Sequence, residues 1–102
     1  MINKVMNKIK VTPNVFAYAD KNYKNLLMEI TIPGVKEQDI HMKIKEDGFS
    51  LSAPRDDEFE YVIDSSFCYP VTPYKTKTNF KDGLLKVEVP FKNPIKYNPW
   101  EH

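Results

Sequence analysis

Hydrophobic and polar residues alternate with a period of two along most of this chain. Leu26, Met28, Ile30 and Ile32 share one face of a strand that stops at Pro33-Gly34. Ile40, Met42 and Ile44 alternate with His41, Lys43 and Lys45, and Asp47-Gly48 then offers the positive-φ residues of a tight hairpin turn. Phe49, Leu51 and Ala53 mark the return strand. From Glu58 a long alternation runs through Phe59, Tyr61, Ile63, Ser65, Phe67 and Tyr69 and ends at Pro70. A second turn pair, Asp82-Gly83, joins Tyr74–Phe80 to a strand through Leu85, Val87 and Val89 that Pro90 closes, and Val15–Ala19 adds a short first strand. About seven short strands with turns at regular spacing predict an all-β antiparallel sandwich or barrel.

Only the N-terminus departs from this period. Ile2, Val5, Met6 and Ile9 stand at i, i+3, i+4 and i+7 and predict one or two helical turns. A helix of about ten residues is marginal alone in water, so the stripe either docks on something, as a client-binding or assembly element, or frays. The last residues, Asn93–His102, contain Pro94 and Pro99 and are expected to be extended. Trp100, the one tryptophan, is expected to dock in an apolar groove rather than stay in water.

Composition narrows the function classes. The chain has 102 residues, room for one domain, and 41% of them are hydrophobic, enough for a core. Fifteen Lys and Arg against fourteen Asp and Glu leave a net charge of +1, which argues against a nucleic-acid partner. Cys68 is the single cysteine, and His41 and His102 are the only histidines, so no metal site or cofactor is expected. His41 reads as a solvated side chain among lysines, and Cys68 as a structural thiol rather than a redox sensor. No apolar run is long enough to cross a membrane or to resemble a signal peptide, so the expected compartment is the cytoplasm, with no membrane partner. Asp56, Asp57, Glu58, Glu60 and Asp64 form the one concentrated acidic run. It reads as a solvated loop and strand edge that keeps sheets apart, or as a partner for Lys75, Lys77, Lys81 and Lys86 across a dimer. No nucleophile–base pair can be assembled, so an enzyme is the least expected class and no catalytic residue is named.

Two stretches go beyond a generic sandwich. Ile32-Pro33-Gly34-Val35-Lys36-Glu37-Gln38-Asp39-Ile40 and Phe80-Lys81-Asp82-Gly83-Leu84-Leu85-Lys86-Val87-Glu88-Val89-Pro90 resemble the two signature regions of the small heat-shock protein (α-crystallin domain) family. Phe67-Cys68-Tyr69-Pro70 is similar to that family's aromatic-x-x-Pro exit from the preceding strand. The resemblance implies an immunoglobulin-like sandwich over residues 14–92, a short arm over 1–13 and an extended tail over 93–102. It implies an ATP-independent chaperone of the stress response that holds partly unfolded clients and associates with itself. Two other classes use a similar sandwich: CS-domain co-chaperones or adaptors, and structural components of a coat or shell.

Departures from the family pattern shape the expected assembly. Bacterial, archaeal and plant members carry a long loop that crosses to a partner subunit, but only Pro54-Arg55-Asp56-Asp57 separates the flanking strands here. A dimer is therefore expected through the long strand, along Phe59, Tyr61, Ile63, Phe67 and Tyr69, about 40 Å at roughly 3.3 Å per residue. The groove that receives a neighbour's tail in the family would here be formed by Ile40, Met42, Ile44, Thr76 and Thr78. The tail anchors would be Ile95, Tyr97 and Trp100, with Tyr97 in place of the family's second aliphatic residue, so large shells should be weak or absent. Met28 and Met42 are expected as core filler.

Overall fold

The computed structural model describes residues 8–93, and they form two four-stranded sheets packed face to face. One sheet has the order β1-β6-β5-β4, from strands Ile9–Val11, Phe59–Ser66, Gly48–Pro54 and His41–Lys45. The other has the order β2-β3-β8-β7, from Asn14–Ala19, Asn25–Thr31, Leu84–Pro90 and Lys77–Lys81. Every pairing is antiparallel except β1 with β6. The antiparallel sandwich expected from the alternation is therefore present, with eight strands rather than seven.

The inward faces are those the period marked. Met28, Ile30 and Ile32 meet Phe49, Leu51, Ala53, Leu85 and Val87 in the main core, and Val71, Val89 and Phe91 close a second cluster beside it. Each fully buried aliphatic side chain contributes about 1.5–3 kcal/mol, which is what holds two sheets with no disulfide together. Among the described residues, no polar or charged residue is buried. Arg55 clamps one end of the sandwich. Its guanidinium lies 4.4 Å from the Phe59 ring centre, its Nε donates to Asp56 Oδ2 at 3.0 Å, and its stem packs where a Cβ on Gly34 would fall.

Turn chemistry follows expectation at one hairpin and departs from it at another. Asp82 and Gly83 both take positive φ, 52° and 80°, and carry the chain from β7 to β8 in two residues. Asp47 and Gly48 do not. The two-residue turn falls one position earlier, on Glu46 and Asp47, and Gly48 is already in β5, paired with Lys45 and Ser66. Glycine is required there for space: a Cβ would collide with the Ser65 carbonyl oxygen.

Three further expectations are corrected. Ile9 does not belong to a helix; it opens β1, because its N–H donates to the Glu58 carbonyl at 2.6 Å and the strand pairs with Phe59–Tyr61. The other members of that stripe, Ile2, Val5 and Met6, lie outside the described residues. The long strand stops at Ser66 rather than Tyr69. The Phe67 N–H bonds to the Asp47 carbonyl and the Val71 N–H to the Glu46 carbonyl as the chain bends and crosses toward the other sheet, where Val71 bridges to Phe91. The strand expected from Tyr74 begins only at Lys77, because Pro73–Lys75 forms a single 3-10 turn closed by the Thr76 N–H and hydroxyl on the Pro73 carbonyl.

Candidate protein-interaction surfaces

Each sheet ends in an edge strand, and the edges of the two sheets meet in pairs. On one side β4 and β7 leave a groove of about 490 Å³ between them. Ile40, Met42, Phe80 and Leu85 supply its apolar lining, and Glu37, Thr78 and Asn79 its polar rim. Alternation explains the layout. On β4, Met42 faces the core side while His41 and Lys43 face solvent; on β7, Phe80 is half-buried while its neighbours Asn79 and Lys81 are exposed. Of the groove residues the sequence singles out, Ile40, Met42 and Thr78 are brought together. Ile44 lies further along β4, packed against both core clusters, and Thr76 is occupied with its turn; neither lines the groove. Met42 is thus both core contact and groove lining, whereas Met28 is a fully buried core residue that reaches the floor of the slot described below.

On the opposite side, β2 and the end of β6 leave a slot of about 280 Å³. The residues of β2 that face inward are small: Val15, Ala17 and Ala19. Phe49 and Phe67, stacked at 5.8 Å between ring centres, form one wall, and Tyr69 meets Phe91 edge-on at 6.3 Å at the end. Cys68 is exposed and lines the slot together with Ser65 and Ser66.

Sequence reading passed over the outer face of β2. Phe16 is 62% exposed and Tyr18 40%, with ring centres 5.1 Å apart in an edge-on arrangement. The Tyr18 hydroxyl donates to Glu29 Oε2 at 3.0 Å. That hydrogen bond, with smaller contributions from desolvation and the nearby charge, raises the phenol's pKa above its ordinary value. Next to this pair stand Leu27 and a lattice of Glu29, Lys86, Glu88 and Lys77. The signal was available: on β2 the large residues occupy the odd face out, because the alanines take the inward positions.

The edge expected to form a dimer is partly occupied. β1 pairs with Phe59–Tyr61, and β5 pairs with the inner edge of β6, so among the described residues only the outer edge of Val62–Ser66 has no partner strand. Phe67 and Tyr69 lie beyond the strand and contribute to the slot instead. The acidic run splits between loop and edge. Asp56 accepts from the N–H groups of Glu58 and Phe59, which with Arg55 hold its carboxyl below the ordinary carboxylate pKa, and Glu60 accepts from the Ser52 hydroxyl. Among the described residues no group of three or more His, Cys, Asp or Glu side chains is placed to hold a metal ion. Ile95, Tyr97 and Trp100 lie outside the described residues.

No protein-family model matches the sequence, and no curated protein matches it. Solved structures do match the fold. Heat shock protein 16.0 from Schizosaccharomyces pombe superposes with a TM-score of 0.72 at 15% identity, covering 90% of this chain and 97% of that one. The Del-C4 mutant of hsp14.1 from Sulfolobus solfatataricus gives 0.71 at 12% identity, covering 84% and 80%. The CS domain of the human KIAA1068 protein gives 0.67 at 13% identity, covering 92% and 77%. The fold is an α-crystallin-like β-sandwich of the kind found in small heat-shock proteins.

Proposed function

We propose that this chain is an ATP-independent holdase of the small heat-shock type, which binds partly unfolded proteins and suppresses their aggregation. The observation that carries the reading is the groove between β4 and β7: two strand edges flanking an apolar floor of Ile40, Met42, Phe80 and Leu85. A non-native chain offers what such a site takes, an extended backbone for the edge and apolar side chains for the floor. Binding lowers the free concentration of the species that aggregates, which requires no nucleotide, cofactor or catalytic residue. Self-association is part of the proposal, as a dimer through the open outer edge of Val62–Ser66 on β6 with weak higher oligomers, in the cytoplasm.

The likeness to a CS domain supports a second reading, a co-chaperone or adaptor with one specific partner. Light scattering of a heat- or reductant-denatured client separates the two. Suppression at near-stoichiometric ratio without nucleotide supports the holdase. Unchanged scattering, with tight capture of a single folded chaperone, supports the adaptor and overturns the first reading.

A further inference from the structure

The outer face of the β2-β3-β8-β7 sheet holds two aromatic rings that neither the core nor the client groove uses. We propose that this face docks on the same face of a second copy of the chain, about a two-fold axis that crosses the strands between Phe16 and Tyr18. Register fixes what the face presents. Two rows of outward side chains cross all four strands, one of Phe16, Glu29, Lys86 and Asn79, the next of Tyr18, Leu27, Glu88 and Lys77. Phe16, Tyr18 and Leu27 make the end at β2 an exposed or half-exposed apolar patch, which favours leaving water against another surface.

The charges select the partner. The two rows carry two carboxylates and two ammonium groups, so an acidic or a basic partner would meet like charges as often as opposite ones, and an apolar client would strand all four. A second copy does neither. Rotation by 180° about the proposed axis exchanges the rows and sets each strand over its own counterpart. Phe16 of each copy then meets Tyr18 of the other, and Lys86 of each meets Glu88 of the other, both contacts occurring twice as a self-complementary interface requires. Among the described residues the salt bridges are Arg55–Asp56 and Lys92–Glu46, so neither Lys86 nor Glu88 is committed to one within the chain. Glu29 comes over Leu27 and keeps the Tyr18 hydroxyl as its donor, while Lys77 comes over the Asn79 amide at the solvated margin of β7.

Size sets the strength. Four strands at about 4.8 Å spacing and about 20 Å of strand length give a footprint of roughly 400 Å², about half the roughly 800 Å² per partner of a standard interface. A contact of that size is weak and concentration-dependent. Stacked sheets lie about 10 Å apart, and a recess of about 290 Å³ on this face, lined by Leu27, Lys86 and Glu88 among others, gives the long side chains of the other copy room to lie.

Charge reversal tests the pairing in the full chain, apart from any client assay and from the β6 edge, which lies in the other sheet. Lys86→Glu sets carboxylate against carboxylate across the axis, and Glu88→Lys sets ammonium against ammonium. In sedimentation over a concentration series, with folding of each variant checked by its thermal melt, either one alone should weaken association about ten-fold, the worth of two exposed ion pairs. Mixed in equal amounts, the two variants bring only opposite charges together and should recover the wild-type constant. Phe16→Ala leaves the charges untouched and should weaken association as well. If the β6 dimer fails, the same step is read from monomer to dimer instead of from dimer to larger species. A mixture no tighter than its components overturns the proposal, and so does a constant unchanged in Phe16→Ala or in both reversals.

Discussion

A chain shortened to begin at Thr12 should remain folded and should pair more strongly through β6. Three register pairs hold β1 to Phe59–Tyr61. At about 0.5–1.5 kcal/mol net per backbone hydrogen bond they contribute roughly 2–5 kcal/mol. Fixing three residues costs about 1–2 kcal/mol each, roughly 3–6 kcal/mol in total. Side-chain burial adds little, since Ile9 is 58% exposed. The attachment is near balance, so its loss should lower stability by no more than about 2 kcal/mol, against about 2–5 kcal/mol for a core Ile30→Ala. The gain at the edge is more one-sided, because β6 is already ordered by β5 and pairs without a further backbone cost. Its free stretch grows from Val62–Ser66 to Phe59–Ser66. Even one added bond at the strong end of the range, about 1.4 kcal/mol, tightens a dimer about ten-fold. Sedimentation of both chains over a concentration series, beside their thermal melts, reads both quantities. An unchanged dimer constant refutes the claim that β1 guards this edge, and loss of the folded state refutes the energy balance.

Gly48→Ala should lower the urea midpoint more than an ordinary surface substitution, which stays within about ±0.5 kcal/mol, because the added Cβ meets the Ser65 carbonyl and the hairpin must open. Asp20 and Asp56 have carboxyl pKa values lowered chiefly by hydrogen bonds from Asn25 and from the Glu58 N–H. Their contribution is present above the ordinary carboxylate value and is lost as pH falls through the lower folded value; melting temperature against pH should therefore drop on the acid side, less steeply in Asp20→Asn. A curve of unchanged slope in that variant removes the assignment. Phe16→Ala should leave the melt nearly unchanged, since the ring is mostly in water, and Phe80→Asp in the groove should abolish suppression of client scattering at a dose where Phe16→Ala retains it. Equal activity in the Phe80→Asp variant, once shown to be folded, refutes the groove as the client site.

The interior was legible because burial imposes a strict period. Leu26, Met28 and Ile30 alternate with residues that face the outer side, and a slip of one position would have exposed the whole set. Asp82-Gly83 was legible because two adjacent positive-φ residues have few sequence solutions. Gly48 misled for the same reason, being a glycine kept for space beside Ser65 and not for its φ. The alternation through Phe67 and Tyr69 outran its strand because both rings serve a second purpose as walls of the slot after the chain bends. Ile9 was misread because a three-residue strand has no period of its own; the partner carbonyl of Glu58 decides its conformation. The groove was half legible. The alternation announces Ile40 and Met42, but Asn79, Phe80 and Leu85 join them only through the meeting of two sheets.

The link between β5 and β6 turns in residues 55–58, and both strands stay in the sandwich that made them. Copies of this chain that pair through the edge of β6 should therefore exchange no loop between β5 and β6. Such copies should separate as whole bodies, on the timescale of breaking a surface contact and not of melting a core. Mixing two differently labelled populations should scramble them while every amide in β3 and β8 stays protected from exchange.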